Sequence, residues 1–153
     1  MNLESQIDEL AGYIDRAELV SPDVSGWSVG QQIEHSLLSI RTMVAAIGRT
    51  SDGSGPESSL TAIGRLVLMS GQIPRGRGQA PASVTVEATP NEEHLLRSVE
   101  KARSAIARLD EISDAGVFDH PYFGVLDKKR TIRFIEIHTD HHLAIVRDIL
   151  ESA

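Results

Sequence analysis

Apolar residues recur along the chain at alternating steps of four and three, the spacing of one helical face. Leu3, Ile7, Leu10, Ile14 and Ala17 predict a first helix ending before Ser21-Pro22. A second helix is predicted from Ser28 to Ile47, with Ile33, Leu37, Ile40, Val44 and Ile47 as its aliphatic face and Glu34 and Arg41 on its solvent side. Ser28 followed by Gln31 reads as a capping box, and Gly48 is the natural stop. The Gly/Ser/Pro-rich stretch 50–58 predicts a loop, and a weaker helical pattern covers Leu60 to Met69. Residues 72–90, broken by Pro and Gly, predict an extended crossing with at most a short strand at Val84-Thr85-Val86. Thr89 with Glu92 makes another capping box, with Pro90 at the first helical position. The stripe Leu95, Val99, Ala102, Ile106 and Leu109 follows, in a helix closed by Gly116. After a loop holding His120-Pro121-Tyr122-Phe123-Gly124, a final helix runs from about Asp127 to Ser152. Four long helices, one short helix and one long crossover loop, with no strong strand pattern, predict an all-α four-helix bundle.

Composition narrows the classes open to such a bundle. A chain of 153 residues that is 41% hydrophobic suffices for one core and predicts a single domain over residues 1–153. With 15 Lys and Arg against 22 Asp and Glu, the net charge of −7 argues against a nucleic-acid partner, which clustered cations would bind. Cysteine is absent, which excludes disulfides, thiolate metal sites and a cysteine nucleophile. Residues 1–19 are punctuated by acids and lack the apolar stretch of a signal peptide. No run approaches the ~18 apolar residues of a membrane span, so the expectation is a cytoplasmic protein with no membrane partner.

Histidines carry the remaining chemistry. Of six, His138, His141 and His142 fall within the last helix. Residues four apart share a helical face, so His138 and His142 can point at one ion. Their stripe also holds Phe134, Ile135, Ile145 and Ile149, which places both imidazoles toward the interior, with His141 to one side. Buried imidazoles need partners, and a shared ion serves both. Two histidines do not make a tight site, and the second helix offers a third. His35 belongs to neither the aliphatic nor the charged side of that helix; its wheel neighbours Gln31, Ser39 and Thr42 suit an internal polar cavity. His94, beside Glu92 and Glu93, reads as an ordinary solvated or hydrogen-bonded side chain. The last helix lacks the HExxH metalloprotease motif, because Thr139 follows His138.

Two segments carry a family resemblance. Gly26-Trp27-Ser28 through Glu34-His35 resembles the Trp-Ser and second-helix histidine signature of the DinB/YfiT-like metalloenzymes. The segment from His120 to Val146 resembles one DinB-like branch, with HP[FY]FG followed by a helix bearing HxxHH. The resemblance implies a four-helix bundle, often dimeric, holding one divalent ion, zinc or nickel, through His35, His138 and His142. It departs from better-known members in having Leu143-Ala144-Ile145 where Arg-Gly-Gln often follows the final histidine. Relatives of known activity include bacillithiol-dependent transferases and a mycothiol-dependent isomerase, which implies a low-molecular-weight thiol as co-substrate.

Three protein ligands leave a coordination position open, as catalytic rather than structural sites do. No side-chain nucleophile is evident, so the attacking group should come from solution. The leading expectation is therefore a metal-dependent transferase that activates a small thiol toward an electrophilic small molecule. A hydrolase on the same site and a non-catalytic metal-binding or stress-response protein stand as alternatives, and a bundle whose histidines bind no metal is the third class. His120, His141 and Tyr122 are candidates for moving protons or positioning substrate, although His120 and Tyr122 could equally form a turn anchored by Phe123. Lys128-Lys129-Arg130, Arg75 and Arg77 read as solvated surface. A homodimer is expected from the resemblance; a second apolar row on the last helix, Ile132, Leu143 and Leu150, could face a partner subunit or another helix of the same chain.

Overall fold

Asn2, Ser28, Thr61, Asn91 and Asp127 each accept, at 2.8–3.2 Å, the backbone N–H three residues on, and these caps set where five helices begin. The computed structural model describes residues 2–76 and 78–153, so Arg77 lies outside the described residues. The helices are α1 (Leu3–Gly12), α2 (Val29–Arg49), α3 (Ala62–Ser70), α4 (Glu92–Ala107) and α5 (Lys128–Ser152). Three short strands, β1 (Ser59–Leu60), β2 (Val117–His120) and β3 (Gly124–Asp127), form an antiparallel sheet in the order β1-β3-β2. The fold is predominantly helical with a small sheet, which corrects the all-α expectation.

The predicted Ser28/Gln31 capping box is present with both reciprocal bonds. Gly48 does not stop α2, which continues to Arg49. Thr50 ends it instead, its hydroxyl both donating to the Val117 carbonyl and accepting from the Val117 N–H, so the helix end is tied to β2. The first helix stops at Gly12, short of Ala17, and a 3-10 turn over Ile14–Arg16 carries the chain onward with Ile14 and Ala17 still buried. Thr89 does not cap α4. Its hydroxyl bonds the Ser28 hydroxyl at 2.7 Å, and Asn91 caps in its place, which sets Glu92 and Glu93 in the first turn where the helix dipole favours them. That helix ends at Ala107 rather than Gly116, followed by a 3-10 turn over Leu109–Glu111.

Val84-Thr85-Val86 is not a strand. The carbonyls of Val84 and Val86 accept from His35 and Gln31 of α2, so side chains occupy the acceptors a neighbouring strand would need. The strands that do form lie at 117–127, where the expected loop is a hairpin with His120 paired to Gly124 across three turn residues.

The core is built from the predicted stripes. Both α1 and α2 pack against α4 and α5. Leu10, Ile33, Leu37, Ile40, Leu95, Ile135 and Ile149 are fully buried there. The second row of α5 is spent within the chain: Leu143 is fully buried, and Ile132 and Leu150 pack on the core. Glu34, expected toward solvent, is only 4% exposed because α4 brings His94 over it, with Nε2 to Oε1 at 3.0 Å. His94 is thus a half-exposed, hydrogen-bonded side chain, in keeping with its expected ordinary role. No described helix is long and apolar enough to cross a membrane.

Candidate metal centre

His35 sits near the start of α2, and His138 and His142 lie one turn apart on α5, the helix packed against it. Their ring centroids are 5.0 Å (His35–His138), 4.4 Å (His35–His142) and 4.6 Å (His138–His142) apart. Each offers one ligand nitrogen, and the three nitrogens lie within 4.8 Å of one another. These three could hold a metal ion.

Hydrogen bonds on the far sides of the rings decide which nitrogens face inward. His35 Nδ1–H donates to the Val84 carbonyl at 2.7 Å, and a carbonyl can only accept, so its Nε2 keeps the lone pair. His142 Nδ1–H donates to Gln32 Oε1 at 2.6 Å, while the Gln32 amide N–H donates to Ser25 Oγ at 3.0 Å. This is the outer-shell arrangement that fixes tautomer and ring direction in metal-ligating histidines. The Nε2 atoms of His35 and His138 face each other at 3.2 Å. Two lone pairs at that distance repel unless a proton or a cation lies between them. Burial holds His138 and His142 well below the ordinary imidazole pKa, reinforced by the neighbouring histidines. His35 is also lowered by burial, against its bond to Val84. Neutral imidazole is the form that ligates a metal, so the residues present fit the implied divalent ion. Buried His138 Nδ1 has no hydrogen-bond partner among the described residues.

The three histidines stand in the wall of a cavity of about 800 Å³. Trp27, Met43, Phe118, Phe123 and Phe134 supply its apolar surface, and Ser39 and Thr42 line it as their wheel positions suggested. Gln31 does not; its side chain is used in the capping box and on Val86. A family model described as protein of unknown function, DUF1569, matches residues 15–149. The chain belongs to the DUF1569 family. No curated protein and no solved structure matches it.

In this DUF1569 chain the remaining sequence candidates border the same cavity. His141 lines it with its ring edge-on to His142 at 5.0 Å, outside the three-histidine cluster, its pKa lowered by burial and by the Arg75 charge. His120 closes β2, and its Nδ1 accepts the backbone N–H groups of Tyr122 and Phe123 at 3.1 and 3.2 Å. The turn expected around Phe123 is therefore present, and His120 also borders the cavity. Tyr122 is 56% exposed and lines the cavity. Arg75 pairs with Asp148 at 2.7 Å, and Lys128 donates to the Ile112 carbonyl at 2.6 Å.

Sequence reasoning missed the groups that orient two of the three clustered histidines. Gln32 carried a usable signal, since it lies one turn before Ser36 and beside the helical row of His35. Val84 acts through its carbonyl, which every residue possesses. Trp27 belonged to the quoted motif without a role; its ring packs on His35 at 5.2 Å.

Proposed function

We propose that the protein is a divalent-metal-dependent enzyme of DinB/YfiT-like kind, with α1, α2, α4 and α5 as a four-helix bundle and His35, His138 and His142 as ligands. The observation that carries this is the pair of outer hydrogen bonds, Val84 to His35 and Gln32 to His142, which turn two neutral Nε2 lone pairs toward His138 in the wall of a cavity. A zinc or nickel ion bound there would supply a Lewis acid that lowers the pKa of a thiol or water. The chain's own residues do the rest. Gln32 and Val84 hold the imidazoles in the ligating tautomer. Trp27, Phe118, Phe123 and Phe134 keep bulk water from an electrophile, and His141 and Tyr122 orient it.

In this reading the activity is transfer of a low-molecular-weight thiol to a small electrophile, carried out in the cytoplasm by a homodimer. The deciding experiment follows turnover of a thiol with a chlorinated or epoxide acceptor, using metal-loaded protein, stripped protein and His138→Ala. Turnover is expected in the first alone. Equal rates in all three would eliminate metal catalysis, and loss of the electrophile without thiol consumption would make the protein a hydrolase on the same site.

A further inference from the structure

His120 is held in an unusual way for a residue bordering a substrate cavity. Two backbone N–H groups, from Tyr122 and Phe123, converge on its Nδ1 at 3.1 and 3.2 Å. Both are donors, so Nδ1 must accept, and the single proton of the neutral ring resides on Nε2. The ring is clamped in place. It stacks on Phe123 with centroids 4.1 Å apart and planes 7° from parallel, and it meets Phe134 edge-on at 5.1 Å. The ring borders the cavity, and its Nε2 has no partner among the described residues and is not among the polar atoms sealed from solvent.

We infer that His120 is a neutral hydrogen-bond donor, giving its Nε2–H to a carbonyl or equivalent oxygen of the molecule that fills the cavity. This rests on the reading of the cavity as a substrate site. It also narrows the role of the residue. Protonating Nδ1 would break both turn bonds, and releasing the Nε2 proton would leave an anionic imidazolate, so the ring neither takes nor gives a proton near neutral pH. Its pKa, pushed down to about 4 by burial against the opposing Asp119 charge, agrees. The titratable groups around it are Asp119 and Tyr122 on its own hairpin and His138 on α5. A donor fixed in this way suits a substrate whose oxygen gains negative charge as a nucleophile attacks, because it stabilises that charge without rearranging. The aromatic lining supplied by Trp27, Phe118 and Phe123 matches a planar apolar body beside that oxygen.

Two measurements test this, and neither needs turnover. Two-bond nitrogen–proton NMR of histidine-labelled protein should show His120 as the Nε2–H tautomer, unchanged from pH 8 to pH 5.5. An Nδ1–H ring or an imidazolium in that range overturns the assignment. The second compares binding of acetophenone with that of α-methylstyrene, the same shape with CH2 in place of the oxygen, by quenching of Trp27, the only tryptophan in the sequence. His120→Asn keeps an oxygen where Nδ1 accepts its turn bonds and removes the Nε2–H. The preference for ketone over alkene, relative to wild type, is expected to fall roughly five-fold in the variant. An unchanged ratio in a variant with wild-type circular dichroism sinks the donor alone. Failure of both probes to bind takes down the donor together with the substrate-site reading. An inactive protein that still shows the ratio leaves the donor standing.

Discussion

Val84 and Gln32 each occupy the far nitrogen of one histidine, and that is what distinguishes His35 and His142 from imidazoles that merely happen to be close. Removing such a partner typically costs about 10–100-fold in metal affinity. Gln32→Leu should therefore weaken the ion by that order while leaving the ligands intact, measured by competition with a chromogenic chelator. Alanine at His35, His138 or His142 should abolish binding by elemental analysis, and His141→Ala should retain it; the reverse pattern would show the ligand assignment to be wrong. The three histidines that come together were legible because histidine is uncommon and its helical spacing is informative. The carbonyl of Val84 was not, since nothing in a valine codes for it. Glu34 was misplaced because the wheel of one helix says nothing of what a second helix lays over it. At this scale His120 also predicts a pH effect. Its folded pKa of about 4 lies below the ordinary value of 6.5, so between those values the unfolded chain binds the extra proton. The native state is unpenalised above pH 6.5 and loses stability as pH falls, by about 1 kcal/mol near pH 5.5. Urea midpoints at pH 7.5 and 5.5 should draw closer together in His120→Asn than in wild type.

Helix starts were mostly legible and helix ends were not. A cap is a local device, as Ser28 with Gln31 shows. An end is decided by what the chain does next: α2 runs past Gly48 because Thr50 has β2 to bond. Thr89 reads as the cap of α4, but its hydroxyl is taken by Ser28 on another segment, and Asn91 caps instead. Asn91→Ala should cost about 1 kcal/mol in urea unfolding as a lost cap. The hairpin escaped notice because each strand has four residues, too few for alternation to register. Its turn nevertheless left a mark in Gly124. That residue has φ +88, and a Cβ there would run into the Ser59 carbonyl of β1. Gly124→Ala should destabilise by about 1–3 kcal/mol, and because the same turn holds His120, it should also lower the ketone preference of the cavity.

For the molecule as a whole, the predicted apolar stripes put the right residues in the core, while the apolar row of α5 that could have faced another subunit is used in part within the chain, Leu143 fully buried and Ile132 and Leu150 half-buried against the core. The proposed homodimer thus stands on the family resemblance, and light scattering at micromolar concentration should give twice the 16.6 kDa chain mass. A monomer would remove it.

His35 and His138 are 103 residues apart in sequence yet touch at their Nε2 atoms. No short segment contains the centre, and closing so long a loop before the helices dock is entropically unfavourable. An ion can bridge α2 and α5 only after they have met, and we take this docking to follow the rate-limiting step of folding. Metal should therefore leave the refolding rate unchanged in stopped-flow experiments and slow unfolding alone, in contrast to a ligand that nucleates structure. The ion would then act as a latch on a finished chain, and chains halted before the helices close would stay empty even in excess metal.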